Sequence, residues 1–166
     1  MGLGVHVFDL VRFVMGQEIT EVTAMTDGQT IAQPLEHIAS IALRLEDGTI
    51  ANVSCGRMLP DTLNNFTIYG TDGRFTGTAT VWEARMGSAE VVSETVNQVE
   101  EWEFDYLANF VAELSDFHSA LQQSREPIAT GTDGLRSTEI NSAVIESAKT
   151  GQFTKIAHRS VPWRAS

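Results

Sequence analysis

Cysteine is nearly absent from this 166-residue chain. Cys55 is its one thiol, so no internal disulfide can form, which fits a reducing compartment and is read as cytoplasmic. Cys55 lies inside an apparent strand, where a small buried side chain is the commoner role than a nucleophile. Basic charge is scarce as well. Eleven Lys and Arg stand against 22 Asp and Glu, a formal charge of −11, and a phosphate backbone or anionic membrane rewards the opposite balance. Nucleic acid and membrane are therefore not expected as partners. No apolar run nears the roughly 18 residues of a membrane span, and the N-terminus lacks a basic region leading into an apolar stretch. Glycine-rich phosphate-binding turns are missing too. Gly2-Leu3-Gly4 has no strand before it and no third glycine at the required spacing, and neither Gly-Lys-Ser/Thr nor Gly-x-Ser-x-Gly occurs. The four histidines, His6, His37, His118 and His158, are far apart and form no familiar metal-ligand spacing.

What is present suits one domain over residues 1–166, since 42% hydrophobic residues can fill a single core. Between Val5 and Met15, the residues Val7, Leu10, Val11, Val14 and Met15 recur at helical spacing before Gly16, predicting a helix. Strand-like segments follow: Ile19 to Thr26, Ile38 to Leu45, and Thr49 to Met58, the last two joined through Glu46-Asp47-Gly48 as a hairpin. Ala32 to His37, with Pro34, reads as loop. Asn65 to Tyr69 meets Arg74 to Thr80 across Thr71-Asp72-Gly73, and Val81 to Met86 is expected to turn at Gly87-Ser88 into Ala89 to Val96. Connections this short make neighbours antiparallel.

Tyr106, Phe110, Leu114, Phe117 and Leu121 mark one helical face, and Pro127 closes that helix. A second helix begins near Asp133-Gly134 and carries Leu135, Ile140, Ala143, Val144 and Ala148 to Gly151, with a small, close-packing core face. Phe153 to Ala157 reads as a last strand, and the tail from Val161 leaves Trp163 to dock on the body. Helices grouped apart from strands predict an α+β domain with an open, mainly antiparallel sheet covered by helices on one face. Both alternate sets of its third strand are partly apolar, Ala51, Val53 and Cys55 against Ile50, Asn52 and Ser54. A sheet-to-sheet homodimer is the expectation.

Chemistry points first to His6 and Asp9. At i and i+3 they share a helix face, where the carboxylate can fix the imidazole tautomer and raise its basicity, making His6 a candidate general base. His-x-x-Asp alone is a weak motif, and the same residues could simply cap and pack the first turn. Glu113 with Asp116, the run Glu100, Glu101 and Glu103, and the pair Trp102 and Tyr106 read more simply as solvated or packing residues.

Three separated stretches, in order over nearly the whole chain, resemble the C-terminal domain of the Gfo/Idh/MocA oxidoreductases. They are Gly4-Val5-His6-Val7-Phe8-Asp9-Leu10 with Gly16; Asp47-Gly48-Thr49-Ile50-Ala51 with Ile68-Tyr69-Gly70-Thr71-Asp72-Gly73; and Phe117 and Ala120 with Pro127, Thr130-Gly131-Thr132-Asp133-Gly134-Leu135 and Glu146-Ser147-Ala148-Lys149-Thr150-Gly151. The resemblance implies a dihydrodipicolinate-reductase-like C-terminal fold, with no Rossmann domain in this chain. It also implies a parent protein that uses NAD or NADP on a sugar, polyol or related alcohol, with this domain supplying the substrate pocket and an open sheet for dimer or higher contacts. His6 matches the family's catalytic histidine, and Asp9 the second position of that motif. A near-neutral base suits removal of a hydroxyl proton as hydride leaves the same carbon.

Two departures stand out. The aspartate usual four residues before the histidine is replaced by Gly2, and the Glu-Lys-Pro motif of the nucleotide domain is absent, since no Lys-Pro occurs. Both are expected of a chain cut from an upstream nucleotide domain within the motif, inactive alone and binding no cofactor by itself. A natural stand-alone relative, kept for assembly or ligand binding, is the alternative. A small hydrolase or isomerase built on His6 and Asp9 would need a nucleophile or metal that the sequence does not offer.

Overall fold

The computed structural model describes residues 4–27, 36–57, 59, 64–80, 86–103 and 105–159, without the side chain of Tyr106. They fall into two compact units, residues 1–59 with 129–166, and residues 60–128. The chain is α+β, and every strand pairing among the described residues is antiparallel.

The first unit contains α1 (Gly4–Met15), β1 (Ile19–Thr26), β2 (Ile38–Leu45), β3 (Ile50–Gly56), α3 (Gly131–Thr150) and β8 (Thr154–Lys155). Its sheet has the order β3-β2-β1-β8. Helix α1 ends where Gly16 adopts φ 63° and its N–H returns to the Arg12 carbonyl at 2.9 Å, a left-handed stop that glycine tolerates best. The β2–β3 hairpin closes through Gly48 at φ 93°, with the Asp47 carboxylate accepting from the Thr49 N–H at 2.8 Å. Alternation along the strands sends Val22, Ala24, Ala39, Ile41, Leu43 and Val53 to one face, where they pack with Phe8 of α1 and Ile140, Ala143 and Val144 of α3. The ambiguity over β3 is thereby resolved. Val53 is 5% exposed and faces the core, while Ile50 is 60% exposed on the other side.

Helix α3 carries both of its caps. Thr130 and Asp133 form a reciprocal capping box at its start, and Gly151 closes it at φ 68°. Its small core face lets the buried Ser147 reach the sheet. The Ser147 hydroxyl accepts from the Ala24 N–H at 3.0 Å and donates to the Gln152 carbonyl at 2.6 Å.

The second unit holds β4 (Phe66–Tyr69), β5 (Gly73–Thr78), β6 (Met86–Ser93), β7 (Asn97–Glu103) and α2 (Tyr106–Gln123), with a sheet ordered β4-β5-β6-β7. On one face the Phe66 and Phe75 rings stand 5.6 Å apart, and on the other Arg74 pairs with Glu90 at 2.6 Å. The turn expected at Gly87-Ser88 does not form. Ser88 pairs with Thr78 on one side and Glu101 on the other, so cross-strand pairing overrides the local turn preference. The reversal comes later, where the Ser93 hydroxyl accepts from the N–H groups of Thr95 and Val96. The acidic run Glu100, Glu101 and Glu103 is thus strand β7, a charged edge of the kind that discourages further pairing. Helix α2 is capped by Asp105 and by Ser124, but its apolar face is not core. Leu107, Leu114 and Leu121 are 69%, 68% and 66% exposed, and His118 is exposed with them. Residues 32–35, 58, 81–85 and 160–166, with most of the expected loop, the end of the expected Thr49–Met58 strand, all but Met86 of the expected Val81–Met86 strand, and Trp163, lie outside the described residues.

Candidate active site

His6 and Asp9 both lie on α1, three residues apart, and both are exposed. The opposite side of the helix is anchored by Phe8, which is fully buried, with Val7 and Val11 packed beside it. Phe13, a turn beyond Asp9, is 80% exposed. A helix fixed on one side by burial therefore presents an imidazole, a carboxylate and an aromatic ring outward.

Behind the pair runs a cluster of charges that the sequence did not reveal. Arg12 donates through Nε and Nη2 to both oxygens of Glu18, at 2.8 Å each. Its Nη2 also lies 3.3 Å from Asp133, and its Nη1 3.3 Å from the Asp9 carboxylate. Arg136 pairs with Glu139 at 2.8 Å, with its Nε 3.9 Å from Glu18. Glu139 also accepts from the Arg159 N–H at 2.9 Å and stands 3.2 Å from His158 Nδ1, whose other ring nitrogen is 2.9 Å from the Ile19 carbonyl. His158, without an assigned role in the sequence, joins the chain end to β1 and α3.

The electrostatics follow this geometry. Hydrogen bonding to Arg12 holds the Glu18 carboxyl below its ordinary range, and Glu18 in turn raises the Arg12 guanidinium further. The Thr130 hydroxyl, then Arg12, keeps Asp133 ionised to lower pH. Burial opposes ionisation of Glu139, but the Arg159 N–H, Arg136 and His158 outweigh it and bring the carboxyl from 4.5 down to about 2.

Other candidates find structural work. Asp116 accepts from Arg125 at 2.6 Å and from the Ile128 N–H at 2.7 Å, closing the turn after α2. Trp102 sits on β7 across from Gly87. Burial raises the Cys55 thiol above its usual value, which makes it a poor nucleophile. Among the described residues no group of three or more His, Cys, Asp or Glu could hold a metal ion, and no helix is long and apolar enough to cross a membrane.

The fold is α+β, and α1 turns His6 and Asp9 outward. The chain belongs to the Gfo/Idh/MocA oxidoreductase family as its C-terminal alpha/beta domain, matched over residues 1–157. It is 26% identical over 157 residues to the 1,5-anhydro-D-fructose reductase of Ensifer adhaerens, covering 94% of this chain and 46% of that protein. It is 28% identical over 173 residues to the uncharacterized oxidoreductase YrbE of Bacillus subtilis, covering 95% of this chain and 48% of that protein. The chain thus spans about half the length of the curated relatives it matches. Similar folds occur in aldose-aldose oxidoreductase from Caulobacter crescentus complexed with glycerol (TM-score 0.78, 20% identity, 92% of this chain and 45% of that one). They occur also in levoglucosan dehydrogenase in complex with NADH and L-sorbose (TM-score 0.78, 17% identity, 93% and 49%).

Proposed function

We propose that this chain is the single C-terminal substrate-binding and oligomerisation domain, residues 1–166, of a NAD(P)-dependent oxidoreductase acting on a sugar, polyol or related alcohol. The observation that carries the reading is the outward placement of His6 and Asp9 on a helix whose other side is locked into the core, in a chain of this family. The named relatives and neighbours support the substrate class, since they include a reductase of 1,5-anhydro-D-fructose and structures with glycerol or L-sorbose. The nicotinamide, held elsewhere in the whole protein, supplies the hydride acceptor. The part of this chain is the proton: His6 takes it from the reacting hydroxyl during oxidation and returns it during reduction, with Asp9 orienting the ring.

The same reading gives the outer face of the first sheet to a second copy. That face carries small residues at its centre, Ser40, Ala42 and Ser54, and exposed apolar groups around them, Met25, Ile38 and Ile50.

The test compares the 166-residue chain with the chain fused to the part of the Ensifer adhaerens reductase that it does not match. The chain alone is expected to give no NAD(P)H turnover and no NADH fluorescence titration. The fusion is expected to turn over a sugar or polyol, and His6→Ala in it to lower kcat by about 10²–10⁴-fold. Turnover by the isolated chain, or a His6→Ala fusion of undiminished rate, would overturn the reading.

A further inference from the structure

The side chain of Arg12 is only 10% exposed and stands among three carboxylates. All three guanidinium nitrogens are engaged: Nε and Nη2 on Glu18, Nη2 also toward Asp133, and Nη1 toward Asp9. Glu18 lies just past the end of α1 and Asp133 in the first turn of α3. Two other segments therefore fix the guanidinium plane before it meets Asp9.

Asp9 itself is in a different situation. Its side chain is 53% exposed, and an exposed carboxylate exchanges rotamers freely unless something holds it. Arg12 engages one of its oxygens, on the helix face that carries His6. The rigid fork matters here, because a lysine could supply charge but could not hold Glu18 through two nitrogens while directing a third at Asp9.

We infer that Arg12 is a positioning residue that fixes the Asp9 carboxylate, so that Asp9 selects one tautomer and one orientation of the His6 imidazole. The inference rests on the proposed reading of His6 as a base oriented by Asp9. It assigns the charge cluster a function beyond stability: the joint between α1, β1 and α3 also sets the geometry of the pair on α1.

The 166-residue chain labelled with ¹⁵N tests this without turnover. Long-range ¹H–¹⁵N spectra above the titration range of histidine give the ratio of the two neutral ring tautomers, with the His6 signals assigned by their loss in His6→Asn. The ratio is expected to shift by about fivefold between the unsubstituted chain and Asp9→Asn, the effect of one net hydrogen bond. Arg12→Gln and Arg12→Lys are each expected to move the ratio to within about twofold of the Asp9→Asn value while the amide spectrum stays folded, the lysine variant guarding against loss of fold through lost charge. An unmoved ratio in a folded Arg12 variant, with Asp9→Asn shifting it, would overturn the role of Arg12 and leave that of Asp9 intact. A ratio unchanged by Asp9→Asn would overturn both.

Discussion

The hydroxyl of Ser147 on α3 stands 3.0 Å from the backbone nitrogen of Ala24 on β1, in a fully buried position. The same oxygen donates to the Gln152 carbonyl at 2.6 Å, so one small side chain joins the helix, the sheet and the segment leading into β8. Ser147→Ala would leave the Ala24 N–H without this partner inside the core and release the Gln152 carbonyl at the exposed end of α3. A buried group left unsatisfied costs about 1–3 kcal/mol. Urea unfolding should show a lower midpoint at an unchanged slope; an unchanged midpoint would mean that neither bond matters to stability.

Glu139 gives the protein an acid-sensitive joint. Its carboxyl is held at about 2 in the folded state against an ordinary value of 4.5, so the folded state binds fewer protons than the unfolded chain between those values. Its contribution is therefore fully present above about pH 4.5 and is lost as pH falls toward 2. Glu139→Gln should lower stability at pH 7 and flatten the decline across that window. Thermal midpoints of both proteins from pH 7 to pH 2.5 would check the sign, and parallel curves would contradict it.

Much of this was legible in the chain, and the boundary follows sequence distance. The β2–β3 hairpin was readable because Asp47 and Gly48 carry their turn chemistry locally, and α3 because Thr130, Asp133 and Gly151 carry its caps. Local pattern failed at Gly87-Ser88, where turn-forming residues are held extended by strands on both sides, and β7 was hidden because an edge strand rich in glutamate resembles a solvated run. For α2 the periodicity was real but its apolar side is exposed among the described residues, since amphipathicity states a preference and not a partner. The charge cluster could not be read at all: Arg12 and Asp133 are 121 residues apart. Only the two steps of three residues, Asp9 to Arg12 along α1 and Arg136 to Glu139 along α3, left a local trace.

Gly56 on β3 marks a place where backbone packs on backbone. A Cβ added there would meet the His37 carbonyl oxygen and come within 3.2 Å of the Ile38 Cα, and neither can move aside as a flexible side chain could. Gly56→Ala should therefore lower stability by about 1–3 kcal/mol, even though alanine favours extended backbone over glycine in general. Differential scanning calorimetry would show a lower Tm, and a rise would mean that the hairpin end relaxes freely.

The outer face of the first sheet gives the last prediction. Ala42 lies at its centre, paired with Thr23 on β1 and Asn52 on β3. A full four-stranded face would be about 19 Å across at about 4.8 Å per strand and about 26 Å along eight residues, an upper bound for this sheet because β8 has only two residues. Two such faces bury on the order of 1,000 Å², at the lower edge of a specific interface, so a homodimer formed through this sheet alone should be concentration dependent. Ala42→Arg would place a second cation between the two copies beside Arg44, which already engages the Glu21 carboxylate of that face at 3.1 Å, and desolvating an unpaired charge is costly. Sedimentation equilibrium at micromolar concentration should show a dimer for the unsubstituted chain and a monomer for Ala42→Arg. The Tm extrapolated to low concentration should be the same for both, because residue 42 faces away from the core. A compact monomer in the unsubstituted chain under those conditions would remove this sheet face as the site of assembly.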